Sequence, residues 1–333
     1  MKTLLLISFS IALLMGFTIE IPKHIPNPRI AIADAKQDSS LIMLGRTLFH
    51  DPILSRDTSI SCASCHSQYN GFTHSDHPLS HGIENRIGKR NAPSLANLAW
   101  GESFMWDGAS FSLEAQVLTP LTAHHEMDNA LDTIIKRLKS HDTYPAMFQS
   151  AFSDGTISIA KILKAIASFE LQFVSFHSRY DSVQQHMTSF TEQEQSGYAL
   201  FKQHCNSCHQ EPLFTNNTFA HNGLRVNDTL NDLGRFAITN AIKDMRHFKV
   251  PTLRNIIYTF PYMHDGRFSR LRDVINHYAY NIDTTDEHRD ISQSMKFTSN
   301  QITDLIAFLH TLTDKSFLFQ PSFGDPTFSQ RVK

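Results

Sequence analysis

Two short stretches of the sequence decide the fold: Cys62-Ala63-Ser64-Cys65-His66 and Cys205-Asn206-Ser207-Cys208-His209. Together they contain all 4 cysteines of the 333-residue chain. A Cys-x-x-Cys-His sequence is typical of c-type haem attachment, in which two thiols hold the porphyrin and the histidine ligates the iron. The sequence therefore predicts two covalent haem c groups. Their attachment residues are Cys62, Cys65, Cys205 and Cys208, and their iron ligands are His66 and His209.

Other uses of paired cysteines fit the pattern less well. A thioredoxin-like pair needs no following histidine, and the βαβ context that it does need is missing. Zinc sites usually place their two cysteine pairs about 15–20 residues apart, whereas Cys65 and Cys205 are 140 positions apart. Haem attachment is the interpretation that accounts for every cysteine.

Composition and the N-terminus limit the class of protein. The chain is 41% hydrophobic and 19% charged with a formal net charge of -2, which argues against a nucleic-acid-binding protein. Lys2 precedes an apolar run from Leu4 to Phe17. That run is shorter than the ~20 residues that span a bilayer, and it suits a secretory signal peptide. We expect a signal peptide at 1–20 and export to a bacterial periplasm; a buried first helix is the alternative.

The two motifs divide the chain into similar halves. Each lies near the start of its half, so we predict a mainly α fold with two tandem cytochrome-c-like domains at 38–180 and 190–320. Capping boxes at Thr191 and Thr298 begin helices of the second half. Apolar residues at helical spacing predict core-facing helices in both halves: Ile159, Ile162, Leu163, Ile166, Phe169 and Phe173 in the first, and Ile302, Leu305, Ile306, Leu309 and Leu312 in the second.

Several further segments carry a resemblance to a known family. They are Leu44-Gly45-Arg46-Thr47-Leu48-Phe49, Arg90-Asn91-Ala92-Pro93-Ser94-Leu95, Met105-Trp106-Asp107-Gly108, Val250-Pro251-Thr252-Leu253-Arg254-Asn255 and Pro261-Tyr262-Met263-His264-Asp265-Gly266. In this order around the two haem motifs, they make the chain similar to the bacterial di-haem cytochrome c peroxidase and MauG family over nearly everything from about Leu44 to Leu312.

The resemblance implies different roles for the two haems. The N-terminal haem would be the peroxidatic one, with His66 as its proximal ligand, and the C-terminal haem would transfer electrons. His81 matches the distal histidine that many members release before peroxide binds. His74 and His77 lie close to it in the sequence, and only the position relative to Asn91 favours His81.

Gln116 and Glu126 match the family's distal-pocket glutamine and glutamate. Cleavage of the peroxide O–O bond requires a proton to leave the inner oxygen and one to reach the outer oxygen, and a partly desolvated carboxyl group can do both. The alternative places Glu126 at a solvated helix start. Glu114 is nearer to the Trp-Asp-Gly motif but does not hold the family position, and we interpret it as a surface carboxylate.

The resemblance also implies residues between the two haems. Trp106 matches a tryptophan that can carry an electron across the gap, although a buried tryptophan can also be simple core. Asn91, Thr259 and the carbonyl of Pro261 resemble a calcium site between the domains. All three provide the oxygen ligands that Ca²⁺ prefers.

Tyr278 is the main departure from the peroxidase pattern. It takes the position at which classical peroxidases carry a methionine ligand to the second haem. Methionine raises a haem potential, whereas an anionic tyrosinate favours higher oxidation states. Tyrosine there resembles the MauG branch. His277, Met295 or no residue at all are the alternatives for this ligand position.

Three functions follow from these features. The first is reduction of hydrogen peroxide with electrons from a small soluble carrier, a cytochrome c or a cupredoxin. The second is MauG-like, peroxide-dependent oxidation of a partner protein, which Tyr278 favours and His81 opposes. The third is plain di-haem electron transfer, against which Glu126 and Gln116 argue. Relatives often dimerise, so a homodimer is left open.

Overall fold

The computed structural model describes residues 20–34 and 36–326, and within them the structure is mainly helical. The α-helices are α1 Ser39–His50, α2 Cys62–Cys65, α3 Leu113–Thr122, α4 Leu131–Ser140, α5 Tyr144–Ala151, α6 Ile159–Glu170, α7 Arg179–Gln184, α8 Glu192–His204, α9 Phe236–Thr239, α10 Leu271–Tyr280, α11 Ser299–His310 and α12 Lys315–Leu318. Short 3₁₀ helices lie at Pro52–Leu54, Gln68–Asn70, Ile83–Asn85, Leu98–Trp100, Ile242–Asp244, Ile256–Tyr258 and Pro321–Phe323.

Apart from isolated β-bridges, strand pairing in the described ranges consists of one short antiparallel ladder. It joins β1 Phe219–Ala220 to β2 Phe248–Lys249, with Phe219 opposite Lys249. The mainly α prediction is confirmed. Residues 1–19 of the expected signal peptide lie outside the described residues, and no helix among those described has the length and apolar character needed to cross a membrane.

The first half is built on the contact between α1 and α6. On α6 the side chains of Ile162, Leu163, Ile166 and Phe169 are buried, as the helical spacing predicts, whereas Phe173 is buried just beyond the end of the helix. The two helices approach closely at Gly45, where an added Cβ would lie 1.9 Å from the Ala165 carbonyl oxygen. Only glycine allows this packing distance.

The second half repeats this arrangement with α8 and α11. Both predicted capping boxes are present, since Thr191 and Thr298 accept from the backbone of Glu194 and Gln301, whose side chains accept in return. At Gly197 an added Cβ would lie 1.9 Å from the Asp304 carbonyl oxygen. Each half therefore contains one helix pair in close contact at a glycine.

Two turn segments also recur in both halves. Pro93-x-Leu-x-Asn97 is matched by Pro251-x-Leu-x-Asn255, and both asparagines adopt left-handed backbone with φ of 60°. Met105-Trp106-Asp107-Gly108 is matched by Met263-His264-Asp265-Gly266, with positive φ at the methionine and glycine of each. The halves thus share turns as well as helices.

The connection between the halves is ordered and partly helical. The helix α7 covers part of it, and Tyr180 packs in the core of the second half. Beyond α11 the chain returns to the first half, where Phe317, Leu318 and Phe323 join its core. The domain limits 38–180 and 190–320 stay predictions, and these contacts bind the two halves together.

The α1–α6 contact gives a stability prediction. We expect Gly45→Ala to lower the free energy of unfolding by about 1–3 kcal/mol, because the new methyl group overlaps a backbone oxygen that cannot move without separating the helices. Gly324→Ala is the matched control, since its added Cβ would have nothing nearer than 3.7 Å. Chemical denaturation of both variants measures the difference, and equal losses would contradict this account.

Candidate di-haem site

A single large cavity connects the two haem motifs. Its volume is about 1220 Å³, above the roughly 300–1000 Å³ of ordinary ligand pockets. Cys65 and His66 of the first motif and Cys205, Cys208 and His209 of the second are among the residues that line it. Cys62 packs against the first hydrophobic core. The space and the donor groups fit two covalently attached haems.

Both motif histidines are oriented for iron ligation. Nδ1 of His66 lies 2.8 Å from the Phe72 carbonyl oxygen, and Nδ1 of His209 lies 3.0 Å from that of Pro251. Donation from Nδ1 leaves Nε2 with the lone pair that a metal needs. Burial lowers the pKa of His66 to about 4 and also lowers the pKa of His209, which keeps both rings neutral.

The first-haem side of the cavity carries the expected distal pair. Gln116 lies on α3, Glu126 lies just after it, and both line the cavity. Burial raises the pKa of Glu126, and the Oε1 atom of Gln116 is buried without a hydrogen-bond partner. Glu114 is exposed on the first turn of α3, as expected for a surface carboxylate.

Tyr278 occupies the corresponding side of the second haem motif. It lines the cavity from α10, and burial raises its pKa to about 12. The side-chain amide of Asn222 lies 3.2 Å from the Tyr278 hydroxyl and lowers that pKa, because a donated hydrogen bond favours the tyrosinate. No sequence pattern predicts the contact between Asn222 and Tyr278, because the two residues are 56 positions apart.

The alternatives to Tyr278 differ in placement. His277 is buried with Nε2 at 3.1 Å from the Asn222 carbonyl oxygen, and it is not among the cavity-lining residues. Met295 does line the cavity, and its backbone amide donates to the Tyr278 carbonyl. The geometry favours Tyr278 or Met295 over His277.

The repeated turns show that the two halves place different residues at equivalent positions on the cavity lining. Twelve positions after Gly266 the chain places Tyr278, and twelve positions after Gly108 it places Pro120. Both residues line the cavity on equivalent helices, α10 and α3. Proline has no ligand atom in its side chain, so α3 offers no axial ligand at the position where α10 offers the Tyr278 hydroxyl.

Trp106 and Asn91 lie where the halves meet. The indole Nε1 of Trp106 donates to the Asn91 carbonyl at 2.8 Å, and the Asn91 amide donates to the His264 carbonyl at 2.7 Å. Both residues line the cavity, as do Thr259 and Pro261. The three calcium candidates therefore line the same cavity as the tryptophan.

His81 does not face the cavity in this structure. Its Nδ1 lies 2.8 Å from the Asn85 side-chain oxygen, its ring packs on that of His77 at 3.8 Å between centroids, and it is not among the described residues that line the cavity. His77 packs in turn on His74, with ring centroids 4.4 Å apart. Its role as a distal ligand stays a prediction, and it would require movement of this loop.

Two basic side chains line the cavity, and no sequence pattern predicted their position there. Arg90 pairs with Asp107 and Asp232, while the Lys249 ammonium donates to the Ser103 carbonyl, and burial lowers the Lys249 pKa to about 8. Both residues line the cavity. Because a haem carries two carboxylates, Arg90 and Lys249 are suited to hold them. Asp107 and Asp232 hold Arg90, and the β1–β2 ladder holds Lys249, on the cavity lining.

The Tyr278 geometry gives a measurable prediction. In the holoprotein, we expect Tyr278→Met to raise the potential of the second haem by roughly 0.1–0.3 V, part of the ~0.8 V range that axial ligands span. Tyr280→Phe, on the same helix but exposed, should leave the potential unchanged. Spectroelectrochemical titration measures both. An unchanged potential in Tyr278→Met would show that this residue is not a ligand.

Comparison with known proteins agrees with this site. A family model described as di-haem cytochrome c peroxidase matches residues 39–189. The chain is 34% identical over 306 residues to the methylamine utilization protein MauG of Methylorubrum extorquens, covering 87% of this chain and 82% of the relative. It is 31% identical over 294 residues to cytochrome c551 peroxidase of Nitrosomonas europaea, covering 87% and 84%.

Solved structures give the same result. A crystal structure of a MauG-like protein associated with microbial copper homeostasis superposes with a TM-score of 0.85 at 32% identity, covering 93% of this chain and 99% of that one. The di-haem peroxidase BthA of Burkholderia thailandensis, at 22% identity and a TM-score of 0.75 over 89% of this chain and 94% of that one, shares the fold. This chain is therefore an oxidoreductase of the di-haem cytochrome c peroxidase and MauG family, whose members carry two haem c groups.

Proposed function

We propose that this protein reduces hydrogen peroxide to water, taking electrons from a small soluble cytochrome c or cupredoxin. The reaction joins one H₂O₂, two electrons and two protons to give two water molecules. When bound, the haems provide the iron on which peroxide reacts and the path by which electrons arrive.

The main support for this function is that Pro120 on α3 and Tyr278 on α10 hold equivalent positions on the cavity lining. A peroxidase needs one iron with an open face and one that only exchanges electrons. The helix α3 beside the first motif places Gln116 and Pro120 on the cavity wall, and Glu126 lines it just after this helix, so an open face meets an acid/base group there. The helix beside the second motif places Tyr278 instead. A plain electron carrier would not need this asymmetry.

Glu126 is the group that can move the proton. Its raised pKa, caused by burial, makes the carboxyl group a better base than an exposed glutamate. It accepts the proton of the inner peroxide oxygen and returns it to the outer oxygen, which leaves as water. Gln116, whose buried Oε1 has no other partner, accepts a hydrogen bond from the peroxide and orients it.

Trp106 is placed to connect the two halves. Its indole is bonded to Asn91 of the first half, and its carbonyl accepts from the backbone of Lys249 in the second half at 2.7 Å. An indole held at this position can carry an electron between the two haems. We assign electron entry to the second half, which Cys205, Cys208 and His209 define, because the acid/base pair Glu126 and Gln116 lines the cavity beside the first motif instead.

A second candidate function is peroxide-dependent oxidation of a partner protein. Tyr278 favours it, because an anionic ligand stabilises higher oxidation states. Relatives named MauG and a MauG-like protein associated with copper homeostasis point the same way. In this function, oxidising equivalents formed with peroxide would leave through the Trp106 wall to the partner.

Three further properties belong to the proposal. A periplasmic location follows from the apolar run at Leu4–Phe17. A calcium ion would use the oxygen ligands of Asn91, Thr259 and Pro261, which all line the cavity. A homodimer is proposed on the family resemblance.

The peroxidase function predicts a large effect of Glu126→Gln. In the holoprotein mixed with hydrogen peroxide and a reduced small cytochrome c, we expect donor oxidation to fall about 10²–10⁴-fold, because the amide cannot accept and return the proton. Stopped-flow absorbance of the donor measures the rate.

Glu114→Gln is the control, since that carboxylate is exposed on the helix α3 that precedes Glu126 and its loss should leave the rate unchanged. Equal rates for Glu126→Gln and the wild type would remove Glu126 from the reaction. If the wild type consumes peroxide but barely oxidises the donor, and an oxidised form of the protein persists, the partner-oxidation function replaces the peroxidase function.

A further inference from the structure

A group of potential metal ligands lies outside the cavity, on the loop that follows the first haem motif. His74, Asp76 and His77 each offer one ligand atom, and these atoms all lie within 4.8 Å of one another. The shortest pair joins His77 Nδ1 to Asp76 Oδ1 at 2.7 Å. None of the three is among the described residues that line the cavity.

The imidazole of His74 is buried and its ring nitrogens lack hydrogen-bond partners. Its side chain is nearly closed off from solvent, with the residue 3% exposed, and neither ring nitrogen has a hydrogen-bond partner of good geometry. The Nε2 atom of His77 is buried and unpartnered as well. A buried polar atom without a partner is energetically unfavourable. Haem within the cavity does not account for these nitrogens, because His74 and His77 do not reach its wall.

The loop that carries these ligands is held at both ends. Ser67 pairs with Thr73 in a β-bridge before it, and His81 pairs with Ile87 after it. In between, the Pro78 carbonyl accepts from the Asn91 side-chain amide at 2.8 Å. These bonds fix the backbone, so the ligand atoms are brought together before any ion binds.

We propose that His74, Asp76 and His77 form a binding site for a divalent late first-row metal ion, Zn²⁺ or Cu²⁺, distinct from both haem irons. Imidazole nitrogen is a preferred ligand of these ions, whereas Ca²⁺ and Mg²⁺ prefer oxygen alone. Bonds of ~2.0–2.1 Å in a tetrahedral site place ligand atoms roughly 3.3 Å apart. The three ligand atoms, which lie within 4.8 Å of one another, would reach this separation through small side-chain rotations.

The exposure of the three side chains suits entry of an ion from solvent. Asp76 is 77% exposed and His77 is 25% exposed, so the outer side of the site is open while His74 forms its floor. His81, whose ring packs on that of His77 at 3.8 Å between centroids, is a candidate for the fourth ligand, and water is the alternative.

The site is coupled by packing to the first haem pocket. Gly82 follows His81 and lies against the backbone of Glu126, where an added Cβ would be 2.5 Å from the Glu126 carbonyl oxygen. The Ile83 amide also donates to that carbonyl at 2.9 Å. An ion on His77 would hold the neighbouring His81 in its stack and away from the cavity.

The test uses the holoprotein with both haems, stripped with a chelator and titrated with ZnSO₄ in a calorimeter. We expect one Zn²⁺ per chain. Because changes to groups that only support a metal ligand already cost roughly 10–100-fold in affinity, His77→Gln and Asp76→Asn should each weaken binding at least about tenfold. Zinc-edge X-ray absorption of the wild-type complex should show two imidazole ligands, from His74 and His77, or three if His81 also binds.

The variants at Asp76 and His77 are preferred to His74→Gln because their side chains are partly exposed and the haem spectrum can confirm correct folding. His186→Gln, an exposed histidine on a different segment, should bind Zn²⁺ like the wild type. Absence of stoichiometric binding, or equal affinity in His77→Gln, would overturn the proposal. Neither result would bear on peroxide turnover, which is measured separately.

Discussion

The buried ion pair between Asp181 and Arg254 holds the segment that connects the two halves against the second half. Both side chains are fully buried, and two bonds of 2.9 Å connect the guanidinium to both carboxylate oxygens. Such a pair is tolerated in the interior only when its remaining groups are satisfied. Arg254 also donates to the Pro212 carbonyl and packs on Phe176, while Asp181 accepts from the Ser178 backbone. Removing either partner would leave a charge buried and unpaired.

The pair lies close to the residues that support the second haem motif. Arg254 lies three residues after Pro251, whose carbonyl orients His209. Next to it, Asn255 reaches Ser175 through its side-chain amide at 2.9 Å, and Ser175 donates from its backbone to Asn97 at 2.8 Å. The two equivalent asparagines of the repeat thus meet through one serine. Because they are fixed to each other, the two motifs open onto one shared cavity.

The repeated framework allows its two sites to differ. Both halves keep the same helix pair and the same turns, so stability is provided by equivalent contacts at Gly45 and Gly197. The residues that face the cavity have diverged: Pro120 corresponds to Tyr278, and Trp106 corresponds to His264. A duplicated scaffold with different side chains on its inner wall can hold one iron open and cap the other. Reduction of peroxide by electrons from an external donor requires such a difference between the two irons.

The sequence by itself determined the features that depend on short spacing. Cys-x-x-Cys-His fixes covalent attachment and a proximal ligand, and the boxes at Thr191 and Thr298 fix helix starts, because all the interacting atoms lie within five residues. The tertiary structure alone decided which distant groups meet. It placed Asn222 on Tyr278, turned His81 away from the cavity, and buried Asp181 against Arg254. Those contacts depend on how helices and loops far apart in the chain pack, and no local pattern encodes that arrangement.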